Sequence, residues 1–114
     1  MSKPVLLATD FSPAATAAIP HALRFAKDLA TSVELIHVVQ DDKQINTESL
    51  VTDESWLQSV VADRTKELAA LAERLNTDAV PVASRVLRGR VTETLAVAAR
   101  EARLVVLAGH GHGG

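Results

Sequence analysis

The chain has 114 residues with 12 basic and 14 acidic side chains, a formal net charge of −2, and no cysteine. That length holds one domain with a real hydrophobic core, and 47% hydrophobic with 23% charged residues is a globular, not a disordered, composition. Near-neutral charge and 3% aromatic residues leave no basis for binding nucleic acid or an anionic membrane; the missing thiols exclude disulfides, iron–sulfur clusters and thiolate zinc sites.

Absence of cysteine fits a reducing compartment. The N-terminal segment has a short apolar run, Val5-Leu6-Leu7-Ala8, that is too brief for a signal peptide, and no stretch is long enough to span a bilayer. A cytoplasmic protein is therefore expected.

In chain order, Val5–Ala8 reads as a strand buried on both faces. Ser12-Pro13 marks a helix start, with Ser12 as N-cap and Pro13 where its missing N–H costs nothing. The helix is predicted from about Pro13 to Ala30, with Ala15, Ile19, Ala22, Ala26 and Leu29 inward and a kink at Pro20. Val33–Val39 reads as the second strand. The polar stretch from Gln40 to Asp53 shows no hydrophobic period and is taken as a loop, a plain one or a lid. From about Glu54 to Leu75, Leu57, Val60, Val61, Leu68, Leu71, Ala72 and Leu75 trace one face of a long helix. Val80 to Leu87 is the third strand, placed at a sheet edge because Pro81 lies inside it, and Gly89 ends the segment. Val91 to Ala102 is the third helix, with Leu95, Ala98, Ala99 and Ala102 inward. Leu104–Ala108 is a fourth, wholly apolar strand before the glycine- and histidine-rich end.

Strands alternating with helices give parallel pairing, right-handed crossovers and helices on both faces, so an open α/β sheet is expected. Ligands in such folds bind beyond the carboxyl ends of strands, where strand order reverses. Thr9-Asp10 ends the first strand, and Gly109-His110-Gly111 follows the fourth. If those strands are neighbours, Asp10 faces a loop whose backbone can approach phosphate, while the carboxylate suits ribose hydroxyls or an adenine amino group. Asp10 as an additional helix-capping acid is the competing reading, and both stand at this point.

Other chemistries fail on spacing. There is no P-loop, and Gly109-x-Gly111-x-x-Gly114 lacks the following acidic residue about 20 positions on that a dinucleotide site needs. His110 and His112 flank Gly111, yet no carboxylate lies near them in sequence, so no metal site is assigned. His37 alternates with buried strand positions and reads as a hydrogen-bonded structural histidine; His21 reads as solvent-facing. No nucleophile-elbow serine is present, and the third strand ends in Val86-Leu87-Arg88-Gly89, without the acid of a receiver domain.

The opening Val5-Leu6-Leu7-Ala8-Thr9-Asp10-Phe11-Ser12, then Glu34-Leu35-Ile36-His37-Val38-Val39, Arg88-Gly89, and Leu104-Val105-Val106-Leu107-Ala108-Gly109-His110-Gly111, together resemble the universal stress protein family. The resemblance implies an adenine nucleotide alpha hydrolase-like sheet of order 3-2-1-4-5 and, in many members, ATP binding through a loop G-x2-G-x9-G-[ST]. Ala8, Thr9 and Asp10 would then line the adenosine side, with Val38 beside the base and Gly89 near the pocket. Ala108 and Gly111 would take the first two loop-glycine positions, with Gly109 and His110 between them. Ala108 departs from that pattern by one methyl. The sequence stops at Gly114, before the rest of the loop, the fourth helix and the fifth strand, so residues 1–114 are expected to be a single domain truncated at its C-terminal end. The resemblance implies ATP as a regulatory ligand with Mg²⁺ or Mn²⁺, a homodimer, and at most slow hydrolysis or autophosphorylation, with no catalytic residue assigned. A stress protein acting through protein–protein contacts without nucleotide is the alternative.

Overall fold

Apolar runs without alternation are best satisfied by strands covered on both faces, and the sheet gives that place to Val5–Ala8. The computed structural model describes residues 3–41 and 54–108. Its elements are β1 (Val5–Ala8), α1 (Pro13–Asp28), β2 (Val33–Gln40), α2 (Glu54–Leu75), β3 (Val82–Gly89), α3 (Val91–Ala99) and β4 (Leu104–Leu107). The four strands are parallel in the order β3-β2-β1-β4. Val5 pairs with Val33 on one side and Leu104 on the other; Ala8 pairs with Ile36 and Leu107. Strands one and four are thus neighbours, and β3 lies at an edge, as expected.

Alternation along the strands sorts the core into two faces. Val5, Leu7, Val33 and Leu35 point toward α1 and α2, where Ile19, Ala22, Ala26, Leu68 and Ala72 seal them. The alanines let α1 lie close to the sheet. Leu6 and Ile36 point the other way, onto Ala98 of α3.

Element ends differ from the expectations in instructive ways. Helix α1 stops at Asp28 instead of Ala30. Ala30 N–H donates to the Lys27 carbonyl at 3.1 Å and Thr31 N–H to that of Ala26 at 2.9 Å, with Ala30 at φ 55°. This is a Schellman closure with alanine in the left-handed position. The helix continues through Pro20, which is exposed like Thr16, so water can satisfy the Thr16 carbonyl that proline leaves without a donor. Strand β2 extends to Gln40.

Strand β3 begins at Val82, not Val80, and runs to Gly89, so Pro81 precedes it. Thr77 Oγ1 accepts from Val80 N–H at 3.0 Å and Asn76 Oδ1 from Val82 N–H at 2.8 Å, holding the approach as a turn. Pro81 still contributes its carbonyl, which accepts from Val33 N–H at 2.9 Å. Helix α3 ends at Ala99 because Arg100, Glu101 and Ala102 N–H groups reach back only three residues, to Val97, Ala98 and Ala99, tightening the last turn. Ala108 follows β4 and is not part of it. The expected loop falls, from residue 42 to 53, outside the described residues.

Candidate functional site

The turn after β1 brings the site's polar groups into place. Thr9 N–H continues the ladder to the Ile36 carbonyl at 2.8 Å, and Thr9 Oγ1 accepts from Phe11 N–H at 3.0 Å. Asp10 Oδ1 accepts from Ser12 N–H at 2.9 Å, and Ser12 Oγ in turn accepts from Ala15 N–H at 3.2 Å as the N-cap of α1. The capping role of Asp10 is therefore real, and it coexists with a place in a cavity.

That cavity, of about 270 Å³, opens on the α3 face beyond the ends of β1, β2 and β4. Ala8, Thr9, Asp10, Val38 and Ala108 line it, all five of them candidates from sequence. Ile36, Val91, Leu95 and Leu107, none of them a site candidate from sequence, supply apolar walls. Ile36 and Val38 share a strand face, and Val91 and Leu95 stand four apart on α3, but that spacing does not tell a cavity wall from a core. Small-molecule sites usually measure about 300–1,000 Å³, so this cavity lies just below that range.

Gly89 is not in the lining, and backbone geometry accounts for it. Its φ of 146° is open to glycine, and a Cβ there would stand 2.5 Å from Thr94 Oγ1. Gly109, His110 and Gly111, expected at the phosphates, lie outside the described residues, as does His112.

His37 and Ala15 of α1 are also in the lining. Alternation sends the His37 side chain, with those of Leu35 and Val39, to the α1/α2 face, where Nδ1 lies 2.7 Å from the Thr9 carbonyl. Its expected structural role holds. His21 is exposed.

A second polar cluster sits at the end of β3. Arg88 donates to Glu54 Oε2 at 2.7 Å and to Asp41 Oδ2 at 2.9 Å, tying the start of α2 to the end of β2. Hydrogen bonds to Glu54 and then to Asp41 push the guanidinium further above its already high ordinary range. Arg88 therefore keeps its charge throughout the physiological range. Among the described residues no group of three metal-ligating side chains occurs, and no helix is long and apolar enough to cross a membrane.

The sequence model of the universal stress protein family matches residues 1–114. The chain belongs to the universal stress protein family. A protein from that family in Burkholderia pseudomallei is similar in structure, with a TM-score of 0.75 and 27% identity over 95% of this chain and 82% of the other. Universal stress protein UspA from Lactobacillus plantarum shares the fold, with a TM-score of 0.59 and 20% identity over 96% of this chain and 81% of its own. No curated protein matches the chain. Family membership supports a role in the stress response.

Proposed function

We propose that this protein binds ATP as a regulatory ligand in the stress response, with the adenosine end in the cavity beyond β1 and β4. The observation that carries the reading is the convergence of Ala8, Thr9, Asp10, Val38 and Ala108 on one cavity at the point where strand order reverses. Ile36, Val38 and Leu95 offer apolar surface to a base, and the Asp10 carboxylate is an acceptor for ribose hydroxyls or an amino group. Gly109, His110 and Gly111 would meet the phosphates, with Mg²⁺ or Mn²⁺ accompanying them. The protein acts in the cytoplasm as a homodimer on this reading, and no catalytic residue belongs to the proposal.

Titration calorimetry with ATP tests it, using Asp10→Ala and Asp10→Asn. Asparagine keeps an acceptor for Ser12 N–H while removing the charge, so it separates binding from capping. Hydrogen bonds to a charged group contribute about 1.5–3 kcal/mol, so Asp10→Ala should lose roughly 10- to 100-fold in affinity. Asp10→Asn should lose affinity with little change in urea midpoint. Equal affinity in all three proteins removes Asp10 from the site. No ATP binding by the parent protein overturns the nucleotide reading and favours action through protein contacts.

A further inference from the structure

Asp10 lines the cavity on the α3 face, yet the His37 side chain, which meets both of its neighbours, lies on the opposite face of the sheet. Thr9 is held at three points: its N–H by Ile36, its Oγ1 by Phe11 N–H, and its carbonyl by His37 Nδ1 at 2.7 Å. A carbonyl can only accept, so Nδ1 carries the proton of that bond. Phe11, on the other side of Asp10, has a φ of 65°, a strained conformation for a residue with a Cβ that persists only where its surroundings over-determine it. Those surroundings are specific. The Phe11 ring stands 4.9 Å from the His37 ring at 59°, the Arg64 guanidinium lies 5.9 Å from the Phe11 ring centroid, and Phe11 packs against the α1/α2 core. His37 thus touches both residues that flank Asp10.

We propose that His37 is a positioning residue for Asp10, acting across the sheet through the Thr9 carbonyl and the Phe11 ring. The proposal rests on the nucleotide reading for its ligand but not for its geometry. Losing the Nδ1–H donor frees the Thr9 carbonyl and removes the surface against which Phe11 holds its left-handed turn. Asp10 then samples orientations in which its carboxylate no longer meets the cavity, and the bond to Ser12 N–H weakens with it.

The test uses the 114-residue chain, ¹⁵N-labelled, as the parent and as His37→Leu, His37→Asn, Asp10→Ala and the His37→Leu/Asp10→Ala pair. Asparagine carries an N–H the same number of bonds from the backbone as Nδ1, so it restores the donor that leucine lacks. ATP affinity should fall about fivefold in His37→Leu, within the span of one neutral hydrogen bond, and recover to within about twofold in His37→Asn. In the Asp10→Ala background, His37→Leu should cost no further affinity, because the two act along one path. Independent losses that multiply in the pair, or unchanged ATP affinity in His37→Leu, overturn the proposal. Should the parent bind no ATP, the Ser12 and Phe11 amide resonances still decide it without ligand. Both should shift in His37→Leu, and in His37→Asn Ser12 should return while Phe11, still without the imidazole ring beside it, returns only in part; a Ser12 amide unmoved by His37→Leu overturns the positioning role whatever the ligand is.

Discussion

Beneath α1 and α2 the sheet is sealed, with Val5, Leu7, Val33 and Leu35 at 1% exposure or less, whereas beneath α3 only Leu6, Ile36 and Ala98 are buried among the described residues. Two helices cover the first face. On the second, one short helix is the only cover among the described residues, and Val97 and Leu107 are 60% and 62% exposed. The same strands supply both faces, so the contrast arises from coverage and not from strand composition. It divides the labour: the α1/α2 face carries the packing that sets the strand positions, and the α3 face keeps the cavity that Asp10 borders. Close packing on one side fixes the floor of a site left open on the other.

The sharpest test of that division compares two leucines of equal size. Leu68 on α2 is fully buried in the sealed face, so Leu68→Ala leaves a cavity that neighbours cannot fill; the expected loss is about 2–5 kcal/mol in urea unfolding. Leu95 on α3 is only half-buried and already borders open space, so Leu95→Ala should cost less than about 2 kcal/mol. Equal losses would mean that the α3 face is as consolidated as the other.

Gly89 tests how α3 is attached. The residue leads from β3 toward α3 at φ 146°, and an added Cβ would meet Thr94 Oγ1 at 2.5 Å on the first turns of that helix. Gly89→Ala is expected to destabilise by about 1–3 kcal/mol, through backbone strain and displacement of Thr94. Gly89→Ala at parental stability would show that the β3–α3 corner shifts freely. Because Gly89 lies outside the cavity lining, ATP affinity should change less than in Asp10→Ala.

Much of this was legible in the residues, for reasons that differ by element. The apolar runs Val5–Ala8 and Leu104–Leu107 announce strands because nothing in them alternates, although only the first is central in the described sheet, and Ser12-Pro13 announces the start of α1 through cap chemistry that the structure bears out. Ends governed by hydrogen bonds from outside the element were less legible. Whether Val80 belongs to β3 depends on Thr77 and Asn76 capturing two N–H groups, and the end of α1 depends on an alanine entering a conformation for which sequence suggests glycine. At the site, Asp10 could be read because a carboxylate ending a central strand is unusual. Val91, Leu95 and Leu107 could not, because an apolar side chain facing a cavity looks the same in sequence as one facing a core. Nor could Gly89 be assigned its corner: a glycine signals a conformational need without saying whether a ligand or a neighbouring threonine imposes it.

The N-cap of α1 offers a smaller test on the sealed face. Ser12 Oγ satisfies Ala15 N–H at 3.2 Å, and capping serines replaced by alanine typically cost about 1 kcal/mol. Ser12→Ala should lower the unfolding free energy in urea by that amount, while Ser12→Asp should recover most of it because aspartate also caps and its charge suits a helix N-terminus. Failure of aspartate to recover the loss would mean that the neighbouring Asp10 carboxylate opposes a second charge in this turn.

The smallest effect has the opposite sign and sits at the other end of the same helix. Ala30 holds the left-handed position of the Schellman closure at φ 55°, with Thr31 N–H bonded to the Ala26 carbonyl at 2.9 Å. An L-residue with a Cβ gives up about 1–2 kcal/mol there, and glycine gives up none of it. Glycine also loses more backbone freedom on folding, which offsets about 0.4–1 kcal/mol of the gain. The balance favours Ala30→Gly by about 0.5–1 kcal/mol, visible as a higher urea midpoint at unchanged slope. Ala30→Val should move the midpoint the other way, since a β-branched side chain tolerates that conformation worst. A loss of stability in Ala30→Gly would show that the methyl group of Ala30 packs usefully against the sealed face, and would extend that face's close packing to the loop that leads into β2.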